Sequence, residues 1–271
     1  MPARIPGGDE LIARILACPA CGSDLFPADD AGSIACGCGA TYPKERGAWN
    51  FIPSVSDRSS PVWDCWNRIQ ENGLASYVSD PENNLSVSRN RYSDAFSKFC
   101  GFQGLVLDVG CGPQPLPSYF DLSREAVYVG IDPLAGDVAP RFLKLRGFAE
   151  HLPFRSGVFD QAVFATTLDH LMDPRKGLVE AIRVLDRDGE IDVWLGEKHP
   201  GARGPAVSPE WYLRLTKPDL AEDLFHIQRI GDAGFRAMLL DAGLDIVRTE
   251  VHAVDRWRTN FFYCLKKTAN R

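Results

Sequence analysis

Apolar positions fall into short runs over the last two thirds of the chain and thin out before that. From Gly101 onward, apolar runs of four to seven residues alternate with stretches of helical period. LVLDVG (105–110), VYVGID (127–132), FDQAVFA (159–165) and EIDVWLG (190–196) read as buried strands, with a brief fifth candidate at 146–149. DPRKGLVEAIRVL (173–185) places Leu178, Ala181, Ile182 and Leu185 at i, i+3, i+4 and i+7, with Pro174 suited to a first helical turn. GDAGFRAMLLDAGL repeats the pattern through Phe235, Met238, Leu239 and Ala242, and Gly243 is placed to end it. Residues 244–254 and 260–267 read as a terminal hairpin. Strands alternating with helices predict a parallel sheet covered on both faces.

Before Gly101 the pattern differs. Residues 57–100 are polar with scattered aromatics and one helix-like stretch, SRNRYSDAFSKFCG. Residues 1–56 carry two cysteine pairs and little apolar periodicity. Three units are therefore expected: 1–56, 57–100 and 101–271.

The cysteines sit as C-x2-C-x14-C-x-C at Cys18, Cys21, Cys36 and Cys38. No run approaches the ~20 apolar residues that span a bilayer, and the N-terminus lacks a signal-like apolar core, so a cytoplasmic setting is expected. Thiols stay reduced there, and paired cysteines read as ligands of tetrahedral Zn²⁺, with an iron–sulfur cluster or free thiols as alternatives. Gly22, Gly37 and Gly39 suit a tight fold around the sulfurs. Cys65, Cys100, Cys111 and Cys264 are isolated and read as small apolar fillers.

Composition is that of an ordinary globular protein, with 45% hydrophobic and 24% charged residues. Net charge is −6, and the first 56 residues set Arg4, Arg14, Lys44 and Arg46 against six acidic side chains. That balance disfavours a broad nucleic-acid grip.

LVLDVGCGPQP carries the strongest chemical signal. Asp108 follows an apolar strand, and Gly110 and Gly112 let a ligand approach bare backbone. Asp132 ends the next strand, where a carboxylate can accept both hydroxyls of a ribose. With AEHLPF, FDQAVFATTLDHLMDP and EAIRVLDRDGEI following in order, residues 90–266 resemble class I S-adenosylmethionine-dependent methyltransferases of the ubiquinone-biosynthesis type. The resemblance implies a Rossmann-like sheet of order 3-2-1-4-5-7-6 with the last strand antiparallel. It implies that Asp108, Gly110 and Gly112 shape the methionine pocket and that Asp132 binds the ribose. Pro133 and Leu134 would flank the adenine, Ala149 and Glu150 would lie at its edge, Thr166 beneath the cofactor, and Tyr92 near its carboxylate. Gln114 and Phe148 depart from the family, which carries a glycine and an acid at those positions.

The first 50 residues resemble small zinc-ribbon proteins that activate methylating enzymes. A ribosomal RNA guanine methyltransferase family also fuses such a ribbon to its catalytic domain.

Proton removal from an acceptor needs a base. His170, His199 and His226 are candidates, with His170 and His226 as the catalytic pair to test and structural duty as the other reading of each. Residues 197–225 are expected to cap the substrate. Trp211, Tyr212, Trp257 and Arg258 either touch the substrate or pack the cap.

Three functions follow: methylation of a small molecule at oxygen or nitrogen, methylation of RNA held by the ribbon, or a non-catalytic cofactor-binding scaffold. The ribbon is expected to be an accessory, leaving room for a second subunit or partner, with cofactor affinity independent of Cys21.

Overall fold

The computed structural model describes residues 8–28, 32–52, 61–84, 87–136, 142–201, 208–218 and 223–268. Parts of the expected cap, 202–207 and 219–222, lie outside the described residues, as does the expected boundary at 56–57.

The sheet is built on β5 (Gly104–Val109), β6 (Ala126–Ile131), β7 (Leu143–Arg146), β8 (Phe159–Ala165), β9 (Leu185–Lys198), β10 (Leu244–Asp255) and β11 (Arg258–Lys267). Their spatial order is β7-β6-β5-β8-β9-β11-β10. The first five are mutually parallel, and β11 runs antiparallel to both β9 and β10. β5 is buried along all but its first residue, which is why it reads as a continuous apolar run.

Local chemistry sets the helix ends. α3 (Arg91–Cys100) starts at Asn90, whose side chain accepts from the Tyr92 and Ser93 amides while Ser93 returns the bond. It ends at Gly101 with φ 58°. α4 (Pro174–Val184) is capped by Asp173, which accepts from Lys176 N at 3.0 Å. α6 (Asp232–Ala242) stops at Gly243, φ 68°.

One expected strand needs correction. The brief strand expected at 146–149 ends at Arg146, and Ala149–His151 form a turn of 3-10 helix instead. Within the stretch 57–100, expected as a helical linker or cap, Pro61–Ser79 form the 19-residue helix α2. Pro61 sits where its missing N–H costs nothing.

The N-terminal segment joins the main sheet. α1 (Gly8–Ile15) leads into β1 (Leu25–Pro27), β2 (Ser33–Cys36), β3 (Thr41–Glu45) and β4 (Ala48–Asn50), which pair antiparallel in sequence. β4 then adds to the main sheet parallel to β7, with Trp49 opposite Leu145 and Asn50 opposite Arg146. Ile15, Leu16, Tyr42 and Phe51 pack in one apolar cluster with Leu107, Ile131, Leu145 and Phe154. Burying Phe51 completely contributes on the order of 2 kcal/mol to that junction.

α3 and the opposite sheet face enclose an aromatic core of Phe96, Phe99, Trp194 and Phe262. Among the described residues no helix is long and apolar enough to cross a membrane.

Candidate cofactor and acceptor sites

The turn after β5 requires glycine. Gly110 has φ 81°, and a Cβ there would lie 2.3 Å from Thr167 Cγ2. The Gly110 amide donates to Ile131 O at 2.8 Å, locking the turn to the end of β6. Just past that strand, Asp132 Oδ2 accepts from Gly112 N at 2.8 Å and Oδ1 from Leu134 N at 2.7 Å. A carboxylate offers about four acceptor positions, so each oxygen keeps one for a ligand. Burial raises the Asp132 carboxyl above its ordinary range, while those two amides and Lys144 pull it back.

Lys144 was not legible as a site residue. It sits on β7, is 4% exposed, and donates to Gly112 O at 2.8 Å and to Gln114 O. Its charge lies among two buried carboxylates and holds the carbonyls of the glycine turn. The one available signal was a lysine placed inside the apolar run 142–145.

Next to this turn lies a cavity of about 320 Å³. Gly110, Asp132, Pro133, Leu134, Ala149, Glu150 and Thr166 line it. Asp108 and Gly112 do not. Asp108 is fully buried, and Tyr119 Oη stands 2.8 and 3.0 Å from its two oxygens. Desolvation pushes its carboxyl up to about 7. Gly112 is covered by Gln114 and Tyr77, since a Cβ there would sit 2.2 Å from Gln114 Oε1. Glu150 spends one oxygen on the Asp173 amide at 3.1 Å. Phe148, in place of the family's acid, makes edge contact with Trp66 at 5.0 Å between centroids.

α2 supplies a wall of the same cavity through Trp66, Ile69, Gln70, Gly73, Ser76 and Tyr77. Their spacing is that of one helix face, a pattern present in the sequence.

A second cavity of about 260 Å³ adjoins the first, and both are lined by Thr166, His170 and His226. Thr166 has φ 56°, a left-handed backbone that β-branched residues rarely adopt. Such strain is concentrated at functional sites. Tyr92 lines this second cavity and not the first, and its hydroxyl reaches Ala253 O at 3.4 Å. Arg258 lines it too, with Lys198 and Arg229.

At the junction, His226 Nδ1 lies 2.8 Å from Asp223 Oδ1, and His226 Nε2 lies 3.5 Å from Asp169 Oδ2. Arg229 bonds Asp223 and comes within 3.8 Å of Asp169. Against the burial that would raise it, hydrogen bonds from His226 and the Phe225 amide hold Asp223 well below the usual carboxylate range. The His170 ring lies 4.4 Å from His226, tilted by 34°, and loss of solvent lowers its pKa to about 4, so it is neutral at pH 7.

Other expected substrate residues stand back from both cavities. Trp211 and Tyr212 lie on α5 (Glu210–Leu213), where Tyr212 packs behind Phe225 at 6.1 Å. Trp257 lies over Gly201, and His199 bonds Thr259 at 2.9 Å.

With this geometry in place, comparison identifies the central segment. Residues 107–192 match the family model described as a methyltransferase domain. That segment is similar to a methyltransferase domain. One curated relative, 2-methyl-6-phytyl-1,4-hydroquinone methyltransferase 2 of Oryza sativa subsp. japonica, is 41% identical over 56 residues. The match spans 21% of this chain and 16% of the relative's length. Two solved structures share the fold. The 1,6-didemethyltoxoflavin-N1-methyltransferase of Burkholderia thailandensis, with its substrate and S-adenosylhomocysteine bound, gives a TM-score of 0.56 at 15% identity, covering 90% of this chain and 99% of that one. Phospholethanolamine N-methyltransferase 2 of Haemonchus contortus gives 0.53 at 12%, covering 80% and 62%.

Ahead of the matched segment lies the sulfur cluster of the N-terminal strands. Cys18 Sγ lies 3.8 Å from Cys38 Sγ, and Cys21 Sγ lies 3.4 Å from Cys36 Sγ. All four lie within 4.8 Å of one another. Thiolates about 2.3 Å from a tetrahedral ion stand about 3.8 Å apart, so the donor set fits Zn²⁺. Gly22 and Gly39, at φ 76° and 92°, turn the two knuckles.

Proposed function

We propose that the protein is an S-adenosylmethionine-dependent methyltransferase that methylates oxygen or nitrogen of a small molecule. The observation that carries this reading is the pair of cavities meeting at Thr166, His170 and His226, one walled by Asp132 and the other by His226 and Arg258.

The residues of the first cavity suit the cofactor. Asp132 keeps an acceptor position on each oxygen, as a ribose diol needs. Outside the residues that line the cavity, Gln114 Oε1 is buried against Gly112 without a hydrogen-bond partner, an acceptor still to be satisfied beside the glycine turn. S-adenosylmethionine, when bound, supplies an electrophilic methyl group. The chain's own part is alignment and exclusion of water. α2 closes the cavity with Trp66 and Tyr77, and the acceptor enters from the other side.

Asp223, ionised, accepts a hydrogen bond from His226 Nδ1–H and leaves Nε2 as the base. Asp169 then stabilises the imidazolium as the acceptor proton arrives. The named substrates of the relatives, a hydroquinone and didemethyltoxoflavin, support a small-molecule acceptor. The net acidic N-terminal segment speaks against an RNA grip.

Isothermal titration with S-adenosylhomocysteine tests the cofactor half. Labelled-methyl transfer into a host extract tests the other half. Failure to bind the product cofactor sinks the whole reading.

A further inference from the structure

We infer that the four-cysteine ribbon is a positioning element of the cofactor cavity, its bound metal setting the loop that carries Asp132. This rests on the cofactor reading of that cavity.

Three connections carry the inference, and each joins the ribbon to a wall of the cavity. The first is backbone to backbone. β3 and β4 turn at Arg46 and Gly47, both at positive φ. A Cβ on Gly136 would lie 2.7 Å from Arg46 O, and one on Gly47 would lie 3.5 Å from Gly136 O. Gly136 holds φ 116°, so this close approach is open only to glycine. The turn of the ribbon rests directly on the end of segment 132–136.

The second is ionic. Glu45 Oε2 accepts from Arg146 Nη1 at 3.2 Å and from Asn50 Nδ2 at 2.7 Å. Arg146 then reaches over with Nε and Nη2 to Pro133 O, at 3.4 and 3.3 Å. Pro133 and Leu134 wall the cavity. A ribbon carboxylate thus orients the guanidinium that grips the loop.

The third runs from sulfur. Tyr42 Oη lies 3.1 Å from Cys18 Sγ, and its ring packs 4.8 Å from Phe51. The Phe51 amide donates to Arg146 O at 2.8 Å, and a Cβ on Gly147 would meet Phe51 Cβ at 3.6 Å. Gly147, Phe148 and Ala149 line the cavity. The other end of the ribbon is tied down independently, where Ala17 N donates to Pro153 O at 3.0 Å.

A ribbon that merely covered the edge of β7 would stabilise the fold and leave the affinity of folded protein unchanged. The contacts on Pro133, Gly136 and Gly147 give it a lever on the bound state. Zinc fixes Cys18 and Cys36, hence Tyr42 and the β3–β4 turn, and so removes freedom that cofactor binding would otherwise have to freeze.

The test compares zinc-loaded protein with protein stripped by chelator, each titrated calorimetrically with S-adenosylhomocysteine, with far-UV circular dichroism recorded on both. Stripped, folded protein is expected to bind about tenfold more weakly, and added Zn²⁺ to restore it. Equal affinity in the two states overturns the inference. Glu45→Ala decides the matter if stripping unfolds the chain. With zinc stoichiometry unchanged, it should weaken binding about threefold, the scale of one half-exposed ion pair. Unchanged affinity in that variant overturns the inference equally. Zinc-loaded wild type that binds no S-adenosylhomocysteine fails the cofactor reading itself, a distinct result.

Discussion

His226 Nδ1 lies 2.8 Å from Asp223 Oδ1, and Arg229 grips the same carboxylate from its other oxygen. A carboxylate so held stays ionised, fixes the imidazole tautomer and turns Nε2 toward the junction of the two cavities. His226→Gln should lower kcat by about 10²–10⁴ with little change in S-adenosylhomocysteine affinity. Asp223→Asn should lower kcat and move the pH profile, because an amide oxygen supports the imidazolium less than a carboxylate. A His226→Gln variant of wild-type kcat would leave alignment alone to do the chemistry.

Asp132 is the residue on which cofactor affinity should turn. Asp132→Asn keeps an acceptor for one of the two amides at 2.7–2.8 Å, so the loop should survive. It loses the charge that makes hydrogen bonds to a ribose strong, worth about 1.5–3 kcal/mol. Binding of S-adenosylhomocysteine should weaken by roughly ten- to hundredfold by calorimetry, with the melting temperature little changed.

Much of this arrangement was legible where side chains make the pattern. The face of α4 and the Gly243 stop bury and cap in the way their sequence implies. What stayed hidden has backbone or context as its cause. β4 joins β7 through only two residue pairs, a bond of amides and carbonyls that no side-chain pattern records. Lys144 is a charge in a strand, which reads as solvent-facing until two carbonyls and two carboxylates surround it. α2 turns Gln70, Gly73 and Ser76 toward a cavity, so its inner face is too polar to register as a core stripe. Asp108, read as part of the ligand pocket, is sealed behind Tyr119, whose hydroxyl lies within hydrogen-bond distance of both its oxygens.

That buried carboxyl makes stability depend on pH. Desolvation raises Asp108 from 3.8 to about 7, with the Tyr119 hydrogen bond and Lys144 opposing. A carboxyl whose folded pKa exceeds its unfolded value binds its proton more tightly in the folded state. Its penalty is absent below about pH 4, grows as pH rises, and levels off above about 7. Asp132 and Glu150 are raised by burial too and slope the same way. The difference between wild type and Asp108→Asn isolates the one group. The variant should be more stable above pH 7, by up to a few kcal/mol, and the gap should close toward pH 4 in melting curves. A gap independent of pH would mean that Asp108 keeps an ordinary pKa.

Gly73 separates the stability of α2 from its role as a cavity wall. It lies mid-helix, and a Cβ there would meet nothing within 4 Å. Gly73→Ala should therefore stabilise the protein by about 0.5–1 kcal/mol through helix propensity alone, with cofactor affinity kept. Gly73→Phe gains less helix propensity over glycine than alanine does, and must place its ring in the space beside Asp132 and Phe148 that the cavity occupies. Thermal melts should find both variants folded. Calorimetry with S-adenosylhomocysteine should find binding intact in the alanine variant and lost or at least tenfold weaker in the phenylalanine variant. Equal affinity in all three proteins would place the ligand elsewhere than against α2.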